Sequence, residues 1–161
     1  DATMGNGNDT VFLAKKTKFV YAFDIQKQAL DVTQKTLDAN GLNNVKLILD
    51  SHEHILDYTD DFKGAIFNLG YLPKGDKSIT TTSDVTIKTL AFLLPKLKID
   101  GFIMLVVYIG HHAGTDESIA IDAFLQTINQ THYKILKINL PYQDNKPPYI
   151  LFIHKVKDES I

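Results

Sequence analysis

The chain has 161 residues, 44% hydrophobic and 22% charged, with a formal net charge of −2. That length suits one domain with a sizeable core, and the balance is that of an ordinary globular protein. It has no cysteine, which excludes disulfides and cysteine-based metal sites. The longest apolar run, Phe102 to Ile109, is too short to span a bilayer, and no signal peptide is visible, which favours the cytoplasm and no membrane partner. All 17 basic residues are lysine, so phosphate contacts would come from ammonium point charges rather than guanidinium forks. The near-neutral charge does not announce a nucleic-acid binder, although it averages over faces.

In chain order, Asp1 to Asn8 read as a loop and Asp9 to Lys16 as a short helix. Lys18 to Asp24 read as a strand. Gln26 to Asn40 show helical spacing, with Gly41 as the stop. Val45 to Asp50 form the next strand, "HEHILDYT" a short helix, and Gly64 to Leu69 a third strand. Ser83 to Leu97 read as a helix capped by Thr82 or Ser83, with Pro95 ending or bending its last turn. "GFIMLVVYI" is the most apolar strand and is expected at the centre of the sheet. Asp116 to Gln130 form an amphipathic helix. Tyr133 to Leu140 and Tyr149 to Val156 are strands joined by the turn "DNKPP".

Alternating βα units predict an α/β fold, a Rossmann-like, mostly parallel sheet with helices on both faces. The last two strands have no helix between them and are expected to pair antiparallel. A sheet ending in such a hairpin resembles the usual architecture of class I methyltransferases, which use S-adenosylmethionine (SAM).

The chemistry starts at "DATMGNGNDT". Gly5 and Gly7 permit a tight turn and close approach of a ligand. A dinucleotide fingerprint would need a third glycine, which Thr10 replaces, and Asp9 places negative charge where a pyrophosphate would sit. A ligand with an ammonium and a sulfonium fits Asp9 better, and Asp1 just before the turn fits it too. Asp24 ends the next strand at the spacing where a carboxylate accepts ribose hydroxyls; the alternative is a strand-end Asp capping the helix. Asp50, Ser51 and His52 end the following strand as adenine-edge candidates. His52 and His54 lack a third convergent ligand, so no metal is expected.

"FNLGYLPKGDKSITTT", Phe67 to Thr82, places Asn68 and Tyr71 just past a strand. An amide oxygen can accept an N–H from a target amine, and an aromatic ring can stack on a flipped base. A turn Asn and a packed Tyr are equally compatible with those residues alone. "YIGHHAGTDES", with His111, and "YQDNKPPY" read as structural loops on their own.

Together these segments resemble one family, the bacterial SAM-dependent methyltransferases called putative rRNA methylases and associated with tRNA wobble modification (the MnmM type). Asp1 to Thr10 match D-A-T-x-G-N-G-x-D-T, and Phe23 to Gln26 match F-D-I-Q. His52 and Glu53 match H-E, and Phe67 to Lys77 match F-N-L-G-Y-L-P-x-G-D-K. Tyr108, Gly110, His111, Gly114 and Glu117 match Y-x-G-H-x-x-G-x-x-E; Gln143, Asn145, Pro147 and Pro148 match Q-x-N-x-P-P. Tyr142 stands where the family usually has Asn. The family also has a helix and a central strand before D-A-T, so residues 1–161 are expected to be a single domain that is incomplete at its N-terminus.

The resemblance implies SAM as cofactor, held by Asp1, Thr3, Gly5, Asn6, Gly7, Asp9, Thr10, Asp24, Gln26, Ser51, His52 and Asn68. It implies methylation of the aminomethyl nitrogen of 5-aminomethyl-(2-thio)uridine at the tRNA wobble position, with the tRNA anticodon region as partner, and it leaves a homodimer open. Asn68 and Tyr71 would position the amine, and Tyr71, Asp76 and His111 are candidates to take its proton. Lysines and the Ser78 to Thr82 hydroxyls are candidates for tRNA phosphate contacts. The rival readings are a methyltransferase acting on rRNA or a small molecule, a nicotinamide oxidoreductase, and a regulatory nucleotide-binding module.

Overall fold

A computed structural model describes residues 1–70, 82–110 and 112–158. In chain order the elements are α1 (Asn8–Lys16), β1 (Val20–Asp24), α2 (Lys27–Ala39), β2 (Val45–Leu49), a 3-10 turn (His52–His54) running into α3 (Ile55–Tyr58), and β3 (Gly64–Leu69). Then follow α4 (Ser83–Lys96), β4 (Phe102–Val107), α5 (His112–Gln126), β5 (Tyr133–Ile138) and β6 (Tyr149–Lys155).

The strands form two ladders, β1–β2 and β3–β4–β6–β5. β1 and β2 run parallel, as do β3 and β4, while β6 runs antiparallel to both β4 and β5. The expected antiparallel pairing of the last two strands is present, and β6 lies between β4 and β5. The extended segment Asp1 to Met4 joins the ladders. On one side the Asp1 nitrogen donates to the Tyr21 carbonyl at 2.9 Å, and Phe23 N–H donates to the Asp1 carbonyl at 2.9 Å. On the other, Ala2 N–H donates to the Ile66 carbonyl at 2.8 Å, and Thr3 Oγ1 accepts Asn68 N–H at 2.7 Å.

Two cores result. The larger lies where Leu90, Leu93 and Leu94 of α4 and Ile121 of α5 meet Ile103, Leu105 and Ile153 of the sheet. Each fully buried Leu or Ile there contributes about 1.5–3 kcal/mol of transfer free energy. The smaller lies where α1 and α2 cover Val20 and Ala22 of β1. β4 is flanked on both sides, as its apolar run predicts, but only Ile103, Leu105 and Val107 are buried; Phe102, Met104 and Val106 are half-buried. Phe102 stacks on Phe152 with centroids 5.1 Å apart on that second face. Continuous hydrophobicity therefore overstates the burial of β4, because α4 and α5 cover one face of it.

The helix ends follow local chemistry. Gly41, at φ 63°, closes α2: its N–H reaches the Asp38 carbonyl and Leu42 N–H reaches Leu37, a Schellman arrangement. Pro95 sits in the last turn of α4, and Thr82 caps that helix through its backbone carbonyl, which accepts Thr86 N–H. α5 spans His112–Gln126 rather than the expected Asp116 to Gln130. It ends where Thr127 donates both its N–H, at 2.9 Å, and its hydroxyl, at 2.7 Å, to the Phe124 carbonyl, a tighter turn than the α-helical repeat.

Candidate cofactor and substrate cleft

The carboxyl ends of β1, β2, β3 and β4 open onto one cleft of about 860 Å³. Its walls come from the Met4–Asn8 loop, the start of α1, the residues after β1 and β2, Asn68 to Gly70, and the loop after β4. This is the crevice where open α/β sheets bind ligands, and its size lies within the range of about 300–1,000 Å³ for small-molecule sites.

Asp24 organises the first wall. One carboxylate oxygen accepts Gly5 N–H at 3.0 Å and the other accepts Gln26 N–H at 2.9 Å. The carboxylate thus fixes the glycine loop and the turn into α2, and each oxygen keeps a lone pair for a ligand hydroxyl. Gly5 (φ 51°) and Gly7 (φ 81°) are left-handed. At Gly7 a Cβ would lie 2.6 Å from Thr33 Oγ1, so this glycine lets α1 approach α2.

The residues proposed from sequence for the cofactor fall into two groups. Thr3, Gly5, Asn6, Asp9, Asp24, Gln26, Ser51, His52 and Asn68 line the cleft. Asp1, Gly7 and Thr10 stand behind its wall. Asp1 accepts the Thr10 hydroxyl at 2.6 Å and Thr3 N–H at 3.2 Å, and Thr10 is fully buried. They brace the glycine loop from beneath, because a carboxylate between a buried hydroxyl and a loop amide satisfies both donors.

Past β2, Asp50 is the hub of a polar cluster. Its Oδ1 accepts Ser51 N–H at 2.7 Å and meets His54 Nδ1 at 2.8 Å, and its Oδ2 accepts the Tyr58 hydroxyl at 2.8 Å. The bonds from His54 and Tyr58 hold the Asp50 carboxyl below its ordinary range, and Asp50 in turn holds the His54 imidazole and the Tyr58 phenol above theirs. His52 behaves differently. It is only 8% exposed and meets Phe67 edge to face at 5.4 Å. Burial pushes its imidazole down, against the opposing pull of the Ala2 carbonyl, and its Nε2 has no hydrogen-bond partner among the described residues. Burial therefore favours the neutral form of His52 in the wall of the cleft.

Asn68 stands exposed at the end of β3, with its backbone anchored on Thr3. Tyr71, Asp76 and His111 lie outside the described residues. Sequence reasoning missed the opposite rim, where Asn145, Lys146, Pro147 and Pro148 from the β5–β6 loop line the same cleft. The Q-x-N-x-P-P pattern was the available signal, but a Pro-rich turn between hairpin strands reads equally well as a simple connection. Among the described residues no group of three His, Asp or Glu could hold a metal ion. No described helix is long and apolar enough to cross a membrane.

A parallel α/β sheet with a reversed strand inserted near one edge, a glycine loop after the joining segment and an acid at the end of β1 is the class I methyltransferase fold. The chain belongs to the family described as "Putative rRNA methylase", whose model matches residues 20–154. It is 37% identical over 172 residues to the chloroplastic tRNA (mnm(5)s(2)U34)-methyltransferase of Arabidopsis thaliana, covering 96% of this chain and 62% of that protein. A "putative rRNA-methylase" from Clostridium thermocellum superposes with a TM-score of 0.93 at 38% identity, covering 97% of this chain and 87% of that one. A "putative methyltransferase" from Streptococcus mutans, solved in complex with SAH, superposes with a TM-score of 0.90 at 41% identity over 97% and 86% of the two chains.

Proposed function

We propose that this chain is the catalytic domain of a SAM-dependent tRNA methyltransferase. Its substrate on this reading is the aminomethyl nitrogen of 5-aminomethyl-(2-thio)uridine at the wobble position, in cytoplasmic tRNA. The observation that carries the reading is the charge and shape of the cleft. Asp9, Asp24 and Asp50 all face it, beside a glycine loop. Three carboxylates suit a ligand with ribose hydroxyls, an ammonium and a sulfonium. They repel a pyrophosphate, above all Asp9 in the first turn of α1, which argues against a nicotinamide cofactor. The relative that carries a tRNA wobble name and the structure holding SAH support the same reading.

The residues present fit SAM. Asp24 would hold the ribose, Gly5 and Asn6 the loop side, Asp9 the amino-acid end, and Ser51 and His52 the adenine end. SAM supplies an electrophilic methyl carbon. The chain's own work is to hold the accepting nitrogen still and to take its proton. A primary alkylamine is mostly protonated at neutral pH and must lose a proton before it attacks. Asn68, which lines the cleft, would accept an N–H of the amine through its amide oxygen and so orient the lone pair. Tyr71 is the candidate to stack on the target nucleobase, and Tyr71, Asp76 and His111 are the candidates to take the proton.

Nucleoside mass spectrometry on tRNA from a deletion strain tests the substrate. The expected result is aminomethyl-uridine accumulating at the expense of its methylaminomethyl form; unchanged wobble nucleosides would rule this substrate out. Calorimetry tests the cofactor, with SAM binding in the absence of NADH binding as the expected result.

A further inference from the structure

The β5–β6 loop is unexplained by the cofactor reading. It sends Asn145 to Pro148 into the cleft from the far end of the sheet, opposite the glycine loop. Its backbone is unusual. Asn145 and Lys146 are consecutive non-glycine residues at φ 68° and φ 46°. Asn tolerates the left-handed region, but Lys146 is disfavoured there, and it also precedes a proline, which favours extended backbone. Strain of this kind concentrates at functional sites, where the surroundings hold it in place. Here Pro147 and Pro148 stiffen the chain just before β6.

The side chains are also unlike those of a simple turn. Lys146 is exposed at a cleft whose other charged walls are carboxylates, and among the described residues it makes no ion pair. Tyr142, four residues earlier in the same loop, is 100% exposed. Tyr108, on the β4 side of the cleft, is 41% exposed. A free ammonium and open aromatic rings are the two elements that single-stranded nucleic-acid sites combine, one for the phosphate and the other for a base face.

Resting on the RNA-methyltransferase reading above, we propose that the β5–β6 loop is the rim that grips the RNA beside the target nucleotide. Lys146 contacts a backbone phosphate, and Tyr142 stacks on a neighbouring unpaired base. The Asn145–Lys146 turn keeps an exposed ammonium at the lining of the cleft, and the carboxylates of the same cleft keep phosphates out of the cofactor end. Recognition on this side is by charge and stacking, so it selects an accessible single-stranded loop rather than a base sequence.

The test compares wild type with Lys146→Gln, Lys146→Arg, Tyr142→Ala and Tyr142→Phe, all at exposed side chains, after thermal melts confirm the fold. Under-modified tRNA is titrated by fluorescence anisotropy between about 50 and 200 mM salt, and SAM affinity is measured separately by calorimetry. Lys146→Gln should weaken tRNA binding and shrink the slope of log affinity against log salt by about 0.7–0.9, the share of one phosphate contact. Tyr142→Ala should lose about fivefold or more in tRNA affinity. Lys146→Arg and Tyr142→Phe should bind nearly as wild type does, and SAM affinity should hold in all four. The loss should fall on KM for tRNA more than on kcat. Wild-type tRNA affinity and salt slope in the Gln and Ala variants would overturn the proposal while leaving the methyltransferase reading intact, as would losses confined to SAM affinity. A wild-type protein that neither binds nor methylates tRNA would overturn the substrate reading and this proposal with it.

Discussion

Asp24 holds two backbone amides and lines the cleft at the same time. Its two oxygens hold the amides of Gly5 and Gln26, so both readings of a strand-end Asp, turn former and ribose acceptor, are compatible in one geometry. Asp24→Asn keeps the shape, removes the charge and puts a donor where acceptors are needed. We expect at least about a tenfold loss of SAM affinity by calorimetry, since a hydrogen bond to a charged group is worth about 1.5–3 kcal/mol. At Gly7 the function is packing. Gly7→Ala places a methyl against Thr33 in a left-handed conformation. A cost of about 1–3 kcal/mol follows, to be read as a lower urea midpoint. The sequence motif marked Asp1, Gly7 and Thr10 as equal to Gly5 and Asp9. A motif records which residues occur together and not which of them face the ligand, so only geometry separates brace from wall.

At the scale of elements, the turn after β2 is a titratable unit. His54 pairs with Asp50, which raises the imidazole above its ordinary pKa of 6.5. A raised histidine contributes stability that is complete below the unfolded value and disappears as pH rises through the folded one. Asp50, held low, contributes above its ordinary value and loses that contribution as pH falls through the folded one. Both groups face solvent, so the effect on stability is small, and NMR is the sensitive readout. The His54 ring should titrate above 6.5 in wild type and fall back in Asp50→Asn; a midpoint that does not move would contradict the pairing. A second joint ties β6 to α4. Lys155 is 2% exposed, and its ammonium donates to the Pro95 carbonyl at 2.9 Å and meets Asp158 at 2.9 Å. Lys155→Met keeps the apolar stem but leaves that carbonyl without its donor, for a loss of about 1–3 kcal/mol in denaturant melts. Most strands and helices were legible from periodicity and turn residues, β3 to the residue. The start of α5 was not, because "HHAGTDES" carries no apolar period to distinguish a first helical turn from a loop.

Over the whole molecule, the parallel strands and the antiparallel pairing of the last two were legible, since alternation of elements constrains topology more tightly than it constrains boundaries; that β6 is the reversed strand, set between β4 and β5, was not. The joint between the two ladders was not, because no periodicity reveals that a four-residue loop will lie extended between β1 and β3. Thr3 is the sharpest point of that joint. Its hydroxyl takes the place of a ladder carbonyl and accepts Asn68 N–H at 2.7 Å, while its amide is held by Asp1. The same short segment therefore fixes the cofactor wall on one side and the backbone of Asn68 on the other. Thr3→Val preserves volume and removes the acceptor, leaving the Asn68 amide without its partner at a cost of about 1–3 kcal/mol. Thr3→Ser keeps the acceptor and should behave as wild type. If the ladders work as one unit and Asn68 positions the amine as proposed, Thr3→Val speeds hydrogen exchange at the Asn68 amide and lowers kcat more than it weakens SAM binding, since Asn68 moves while Asp24 stays in place. Faster exchange without a kcat effect would make Thr3 a structural link only. Unchanged exchange would show that the joint does not hold Asn68 at all.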